Sequence, residues 1–236
     1  MSAPASWNRD TLPEGAEKQA AVRDMFDAIA PRYDLVNRIM TFRLDVRWRR
    51  RAVRSLALPP GSRVLDLASG TGDLCLELAK AGHRPLSVDL SLGMLVADRS
   101  GAPRVQADIL RLPVPDASVD GVTCGFALRN LVDLGQFFDE LGRVVRPDGR
   151  IALLDVGIPH NGLVRWGHGI YFGKVVPRIG GWLSDPAAYR YLPRSVAYLP
   201  PAADMLAMLR RSGFADACHA ELSGGITQLL GGTRDR

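Results

Sequence analysis

Long apolar runs, cysteine and lysine are scarce in this sequence of 236 residues, and each shortage excludes something. No run of eighteen apolar residues occurs, and no positively charged segment precedes a short apolar one, so we predict a soluble, cytoplasmic protein. The three cysteines, Cys75, Cys124 and Cys218, lie far apart and outside any CxxC pair. This spacing argues against a disulfide framework and a zinc site and predicts reduced thiols inside a core.

Hydrophobic residues make up 47% of the sequence, which is enough for a sizeable core. The formal net charge is +5, and lysine contributes little to it because most of the basic residues are arginines. Five arginines fall within eight residues of one another, namely Arg47, Arg49, Arg50, Arg51 and Arg54. Such a run is more often a solvated helix face than a binding surface, although attraction to a membrane is the alternative.

The hydrophobic pattern changes near residue 60. Before it, the pattern predicts three helices, at EKQAAVRDMFDAIA, PRYDLVNRIMTF and DVRWRRRAVRSLAL. After it, strands are predicted at 62–67, 84–90, 103–108, 119–126 and 150–156, and then at DACHAEL and ITQLLGG. Helices are predicted between them at 73–82, 91–100 and 132–147, and later at PAADMLAMLRRSGF. The alternation predicts an α/β fold, with a doubly wound, Rossmann-like, seven-stranded, mostly parallel sheet.

This reading divides the chain into three parts. Residues 1–16 are predicted to be a flexible tail, residues 17–60 to be helices that cover the site, and residues 61–236 to be the main domain. Within the main domain, residues 157–200 are rich in Gly, Pro and aromatic residues such as Trp166, Phe172 and Trp182. We interpret this stretch as an inserted cap, because linkers are rarely so aromatic.

The stretch VLDLASGTGDL, residues 64–74, follows the first predicted strand. Gly70 and Gly72 let the backbone approach a ligand closely, but neither the G-x-G-x-x-G fingerprint nor a P-loop is completed. Asp66 and Asp73 would repel a pyrophosphate and suit a cation instead. S-adenosylmethionine carries a sulfonium and an ammonium group and no phosphate, so it fits this loop better than a dinucleotide.

Two further acids end the next two predicted strands. Asp89 is placed to accept hydrogen bonds from ribose hydroxyls, a feature that dinucleotide-binding enzymes share. Asp108 could accept from an adenine amino group while the Ile109 amide donates to a ring nitrogen. Each acid taken alone could be a helix N-cap or a solvated turn residue. Together with the failed dinucleotide fingerprint, they favour methyl transfer.

Several segments resemble known motifs. VLDLASGTGDL, VDLS, QADILRLPVPDASVD and VVRPDGR are similar to successive motifs of class I methyltransferases. MFDAIAPRYDLVN, GFALRNLVD, PRIGGWLSDPAAYRYLPRSVAYLP and LSGGITQLLGG resemble the quinone-biosynthesis C-methyltransferases, which methylate demethylmenaquinol or a ubiquinone precursor. The similarity covers about residues 20–232. Departures occur at Gly125, where the family often has serine, at Asp155-Val156, where it often has Glu-Phe, and at Leu230, where a histidine is common.

The loop chemistry and the resemblance together define a set of cofactor-binding residues, namely Asp66, Gly70, Thr71, Gly72, Asp89, Asp108, Ile109 and Gly125. The resemblance also implies catalytic roles for Tyr33, Arg129 and Asn130. A guanidinium beside the substrate hydroxyl would lower its pKa, and an amide could hydrogen-bond the same oxygen. The alternatives are an Arg129 ion pair with Asp133 or Asp139, a helix cap at Asn130 and plain packing of Tyr33.

The resemblance implies a C-methyltransferase that converts demethylmenaquinol to menaquinol with S-adenosylmethionine as methyl donor and without a metal. A ubiquinone-precursor methyltransferase and a non-catalytic scaffold that binds the cofactor remain alternatives. The expected partner is a prenylated hydroquinone, with transient contact at the inner face of the cell membrane. No nucleic-acid partner is expected, because no basic stripe lies beside the cofactor motifs. A homo-oligomer is left open.

Overall fold

The computed structural model describes residues 15–162, 166–167, 169, 171 and 195–236. Most of the predicted tail and most of the predicted cap lie outside these residues, and the numbering of elements below follows the described ones. The helices are α1 (Gly15–Ile29), α2 (Tyr33–Met40), α3 (Leu44–Leu56), α4 (Asp73–Lys80), α5 (Leu92–Ala97), α6 (Leu134–Val144) and α7 (Ala202–Arg211). The strands are β1 (Arg63–Leu67), β2 (Arg84–Asp89), β3 (Arg104–Gln106), β4 (Val119–Gly125), β5 (Val145–Val156), β6 (Cys218–Leu222) and β7 (Thr227–Thr233).

The seven strands form one sheet with the order β3-β2-β1-β4-β5-β7-β6. β1 to β5 pair in parallel, whereas β7 is antiparallel to both of its neighbours, β5 and β6. The prediction of a doubly wound, mostly parallel sheet of seven strands is therefore confirmed. The strand order reverses between β1 and β4, and in such sheets ligands bind beyond the carboxyl ends of the strands at this point.

Helices cover both faces of the sheet, and consecutive residues of β5 show why. Ile151 and Leu153 pack into a core with α6 and α7, whereas Ala152 and Leu154 pack into a second core with α3 and α4. Successive side chains of a strand point to opposite faces, so a strand covered on both sides has to be apolar throughout. The run IALL in the sequence meets this requirement.

The three N-terminal helices do not share one location. α1 and α2 pack against α5 through Met25, Ile29, Val36, Met40 and Met94, which form a small separate core. α3 instead lies against β4, β5 and β7 and belongs to the layer that covers one face of the sheet.

Several predicted boundaries and one thiol differ from the structure. α1 begins at Gly15, inside the predicted tail, and the helix predicted over 132–147 ends at Val144. Val145 pairs with Val119 in the sheet, and Pro147 disfavours a helical conformation at residue 146, so β5 starts earlier than predicted. Cys75 and Cys124 are buried as predicted, but Cys218 is exposed because it lies on the edge strand β6. None of the described helices combines the length and apolarity that a bilayer span requires.

Candidate active site

The loop between β1 and α4 carries the two glycines of the VLDLASGTGDL stretch. Gly70 and Gly72 have φ angles of 57° and 83°, in the left-handed region that glycine adopts without strain. A Cβ on Gly72 would lie 2.3 Å from the Oδ1 of Asp98. Glycine is therefore needed at position 72 because the backbone there lies close to Asp98. Gly72 does not line the cavity described below.

Asp89, at the end of β2, fixes the loop. Its Oδ2 accepts a 2.8 Å hydrogen bond from the Gly70 amide, and its Oδ1 accepts one of 2.8 Å from the Ser91 amide. Burial raises the pKa of Asp89, and the two amide bonds act in the opposite direction. A carboxylate has about four acceptor positions, so each oxygen of Asp89 can still accept a ligand hydroxyl.

Asp108 and Ile109 follow β3. The Asp108 Oδ1 accepts a 2.9 Å hydrogen bond from the Leu110 amide, and its Oδ2 accepts one of 2.7 Å from the Gln19 Nε2. Gln19 belongs to α1 and was not among the predicted site residues. Nothing in the local pattern of α1 singles it out, because its partner is 89 residues away in the sequence.

These residues surround an open cleft with about 780 Å³ of space, open solvent included, bounded by α1 and by the carboxyl ends of β1 to β4. The lining is mainly apolar, with residues such as Val22, Phe26 and Met94 opposite a few polar groups. Seven of the predicted site residues line the cavity: Tyr33, Gly70, Asp89, Asp108, Ile109, Gly125 and Asn130.

Four predicted residues, Asp66, Thr71, Gly72 and Arg129, lie outside the lining. Asp66 is buried within β1, where it accepts hydrogen bonds from Thr123 Oγ1 at 2.8 Å and from Cys75 Sγ at 3.4 Å. Burial raises its pKa to about 7. The structure gives Asp66 internal partners rather than an open face toward a ligand, and its role in cofactor binding stays a prediction.

The loop is also held by α2 and α3. Thr71 donates its hydroxyl hydrogen bond to Asp34, whose pKa is raised by burial. Asp73 lies 2.9 Å from the Arg38 guanidinium and 3.3 Å from that of Arg49. The cations that Asp73 faces in the structure are two arginines of the same chain, and its suitability for a cationic ligand stays a prediction.

Tyr33 and Asn130 meet at the cavity from different elements. Tyr33 is the first residue of α2, and its ring contacts that of Phe26 edge to face, with centroids 6.0 Å apart. Burial raises the pKa of Tyr33, so its hydroxyl keeps its proton at neutral pH. Asn130 ends a short 3-10 turn after β4 and lines the cavity directly. The structure is compatible with either role for Tyr33 and Asn130, packing or contact with a ligand.

Arg129 is buried beside Asn130 and turns away from the cavity lining. Its Nη1 forms an ion pair with Asp155 of β5 and donates to the Phe126 carbonyl at 2.8 Å, and its Nε donates to Ser195 Oγ at 3.1 Å. The predicted alternatives, Asp133 and Asp139, have other partners: Asp133 caps α6 through the Gln136 amide, and Asp139 accepts from Ser212. The positive charge of Arg129 still lowers the pKa of Tyr33 against the larger effect of burial.

The sheet order, the acids after β2 and β3 and the glycine loop define a class I, S-adenosylmethionine-dependent methyltransferase. Among the residues that the structure describes, no group of three or more His, Cys, Asp or Glu side chains is arranged to hold a metal ion. A SAM-dependent methyltransferase from Thermotoga maritima has a similar fold, with a TM-score of 0.64 and 16% identity, over 89% of this chain and 98% of that one.

The chain belongs to the ubiE/COQ5 methyltransferase family, whose model matches residues 14–234. It is 42% identical to the ubiquinone/menaquinone biosynthesis C-methyltransferase UbiE of Syntrophotalea carbinolica, over 90% of this chain and 93% of the relative. It is 39% identical to the demethylmenaquinone methyltransferase of Roseiflexus castenholzii, over 90% and 92% of the two chains. The family that the sequence motifs resemble is thus confirmed.

Proposed function

We propose that this chain transfers a methyl group from S-adenosylmethionine to a ring carbon of demethylmenaquinol and so produces menaquinol. The observation that carries the proposal is the pairing of Asp89 and Asp108 with a mainly apolar cavity at the ends of neighbouring strands. The names of the relatives point to the quinone substrate. The name of the Roseiflexus castenholzii relative favours the menaquinone precursor, and the ubiquinone precursor is the second candidate.

The residues present fit the cofactor. Asp89 has acceptor positions for ribose hydroxyls, and the Asp108 carboxylate and the Ile109 amide match the amino group and a ring nitrogen of adenine. Gly125 lines the cavity, and a Cβ added there would lie 2.8 Å from Leu74 Cδ1, so any larger residue would crowd Leu74. When bound, S-adenosylmethionine supplies an electrophilic methyl group on a sulfonium centre. The protein has to supply orientation and a more nucleophilic substrate carbon.

Tyr33 and Asn130 are the groups that we assign to the substrate oxygen. A phenol has a pKa near 10, so a hydroquinone is mostly protonated at neutral pH and its ring carbon is weakly nucleophilic. Hydrogen bonds donated by the Asn130 amide and the Tyr33 hydroxyl would stabilise the phenolate and hold the ring. The raised pKa of Tyr33 supports a role as donor rather than as base. The protein also has to hold the substrate carbon, the methyl group and the sulfur nearly in line, with the carbon about 3 Å from the methyl group.

Arg129 is assigned a longer-range role. Its guanidinium is paired with Asp155, so the charge of the pair is largely cancelled at a distance. The Arg129 charge acts to lower the pKa of Tyr33, although burial has the larger effect and raises it. We therefore expect Arg129 to favour the phenolate and to hold the segment from Phe126 to Asn130 in place.

A turnover assay with labelled S-adenosylmethionine tests the proposal, with demethylmenaquinol and a ubiquinone precursor offered in parallel. We expect methyl incorporation into demethylmenaquinol. Preferential turnover of the ubiquinone precursor would assign the second candidate. Binding of the cofactor without turnover of either substrate would favour the scaffold alternative.

Three variants separate the roles. Arg129→Ala is expected to keep cofactor affinity and to lose turnover. The control is Arg143→Ala, which removes an ion-paired arginine outside the cavity lining and should retain turnover. Asp89→Ala should raise the cofactor dissociation constant about tenfold for each 1.4 kcal/mol lost. Normal turnover by Arg129→Ala would remove Arg129 from the mechanism, and unchanged binding by Asp89→Ala would overturn the ribose assignment.

The remaining expectations concern the surroundings of the enzyme. A prenylated hydroquinone resides in a bilayer, so the protein has to meet it at the cytoplasmic surface of the membrane. The division into a tail, site-covering helices and a main domain with a cap also stays a proposal. The positions of α1 and α2 support site-covering helices, because Gln19, Phe26 and Tyr33 line the cavity. α3 differs, because it packs against the sheet.

A further inference from the structure

The turn between α2 and α3 holds two consecutive residues other than glycine in the left-handed region. Phe42 has a φ angle of 51° and Arg43 one of 62°. A bulky residue in this region is strained, and such strain is often found at functional positions. The turn is fixed by hydrogen bonds from the Arg43 amide to the Arg38 carbonyl at 3.1 Å and from the Leu44 amide to the Thr41 carbonyl at 2.9 Å. The Phe42 ring contacts that of Tyr171, with centroids 5.9 Å apart, yet the side chain stays 74% exposed.

Two further apolar side chains are exposed on α2. Leu35 is 56% exposed and Ile39 is 40% exposed, while Val36 and Met40 of the same helix are buried. Leu35 and Ile39 are four residues apart and lie on one side of α2, and Phe42 lies in the turn that directly follows the helix. We call these three residues the α2 apolar face. An exposed apolar group of this kind marks an interaction site more often than isolated residues do.

An arginine stripe begins at the same turn. Arg43, Arg47, Arg51 and Arg54 are spaced by four, four and three residues and are all exposed. Among the residues that the structure describes, none of the four has an acidic side chain within ion-pair distance. The other two arginines of the cluster differ, because Arg49 is buried against Asp45 and Arg50 is paired with Glu77. The arginine stripe therefore keeps its positive charge on the surface.

We propose that the α2 apolar face and the Arg43 end of the arginine stripe form a membrane-docking surface for an anionic bilayer, with Phe42 as the residue that enters the interface. Apolar side chains flanked by arginines are the combination that binds anionic lipid surfaces. The lack of acidic partners among the described residues argues against a second copy of the chain, since a self-docking arginine surface would bring like charges together.

This inference rests on the proposed function, because a prenylated substrate requires access to a bilayer. The geometry links the two: Tyr33, which lines the cavity, opens the same helix that carries Leu35 and Ile39. At a rise of about 1.5 Å per residue, Ile39 lies about 9 Å along α2 from Tyr33. Docking through α2 would thus bring the cavity close to the lipid surface.

Vesicle co-sedimentation tests the surface directly. Vesicles of phosphatidylcholine with phosphatidylglycerol are expected to retain the wild-type protein, and phosphatidylcholine alone is expected to retain it much less. Phe42→Asp should lower the partition coefficient about tenfold or more, since it replaces a membrane-entering ring with a charge. Val96→Asp is the matched control, because Val96 is also 74% exposed but lies on α5. Equal losses in the two variants would overturn the assignment to the turn.

Phe42→Trp supplies a readout that does not depend on loss of binding. Its fluorescence should shift to shorter wavelength on addition of the anionic vesicles, as expected for an indole that leaves water. An unchanged spectrum under conditions where the protein sediments with the vesicles would place the contact elsewhere. Arg43→Glu with Arg47→Glu should abolish the preference for anionic vesicles, and retention of that preference would contradict the role of the arginine stripe.

Turnover separates this inference from the proposed function. The turnover rate of Phe42→Asp should equal that of the wild type with a short-chain, water-soluble demethylmenaquinol analogue. With a long-chain substrate in vesicles, its turnover rate should be lower than that of the wild type. Wild-type vesicle binding without turnover of either substrate would reject the proposed function and leave the docking surface standing. Equal turnover of the vesicle substrate by the variant would reject the docking surface. A dimer that Phe42→Asp dissociates, with vesicle binding unchanged, would reassign the face to a second copy.

Discussion

Gln19 and Asp108 tie helix α1 to the end of β3. The Gln19 amide nitrogen donates a 2.7 Å hydrogen bond to the Asp108 Oδ2, and the Leu110 amide occupies the Oδ1 of the same carboxylate. The Gln19 amide takes one of the two acceptor positions of Oδ2, so an adenine amino group that uses Asp108 has to bind beside Gln19 or displace it. The position of α1 is in this way coupled to occupancy of the cofactor site.

Removal of this contact should strengthen cofactor binding. Gln19→Ala deletes the competing donor, whose net contribution is about 1 kcal/mol, so we expect the dissociation constant of S-adenosylmethionine to fall about fivefold. Isothermal titration calorimetry measures the change. Gln106→Ala is the control, because Gln106 donates to the Leu90 carbonyl at 3.0 Å and is not part of the cavity lining. Weaker binding by Gln19→Ala would instead make Gln19 part of the adenine site.

The buried pair of Arg129 and Asp155 should be strongly coupled. Asp155→Ala leaves an unpaired guanidinium in the interior, so we expect the free energy of unfolding to fall by about 3–5 kcal/mol. The double variant with Arg129→Ala should lose less than the sum of the two single variants in urea unfolding. The more exposed pair of Arg146 and Asp120, with N and O atoms 2.7 Å apart, should show a coupling of about 1 kcal/mol or less. Additive losses at Arg129 and Asp155 would argue against a coupled pair.

The buried carboxyl of Asp66 should make stability depend on pH. Its pKa is raised to about 7 in the folded protein, while an unfolded aspartate titrates near 3.9, so the folded state binds the proton more tightly. The stabilisation from this group is complete below about pH 4, decreases as pH rises and is lost above about pH 7. Asp66→Asn lacks this titration. Relative to it, the wild type should therefore lose unfolding free energy between about pH 4 and pH 7. A difference that does not change with pH would contradict the raised pKa.

Gly72 and Gly61 form a matched pair for substitution. Both have φ angles near the same value, 83° and 85°, but an added Cβ meets nothing at Gly61 and the Asp98 carboxylate at Gly72. Gly61→Ala should cost about 1–2 kcal/mol from backbone strain alone. Gly72→Ala should cost more and should also weaken cofactor binding, because Gly72 belongs to the loop that Asp89 fixes. Thermal unfolding and calorimetry measure both effects, and equal losses would show that Asp98 simply moves aside.

The sequence could predict the positions of Asp89 and Asp108, because hydrophobic alternation locates the ends of strands and parallel strands end at one edge. The ion-pair partners of charged residues could not be predicted in this way. Asp73 meets Arg38 and Arg49 only because α2 and α3 dock on the loop, and Arg129 meets Asp155 because β5 is the neighbour of β4. The residues considered from the sequence, Asp133 and Asp139, were near Arg129 along the chain. Such pairings depend on tertiary packing, which local periodicity does not contain.

The position of β7 between β5 and β6 has a consequence for synthesis on the ribosome. β6 emerges before β7, yet it joins the sheet only through β7. Until Thr227–Thr233 has left the ribosome, the edge of β5 stays unpaired and is a template for mispairing. The half of the sheet that carries Asp89 and Asp108 can assemble earlier, since β1 to β4 pair with one another. Nascent chains arrested before residue 227 should therefore aggregate through β5 even when the ligand-binding half is already formed.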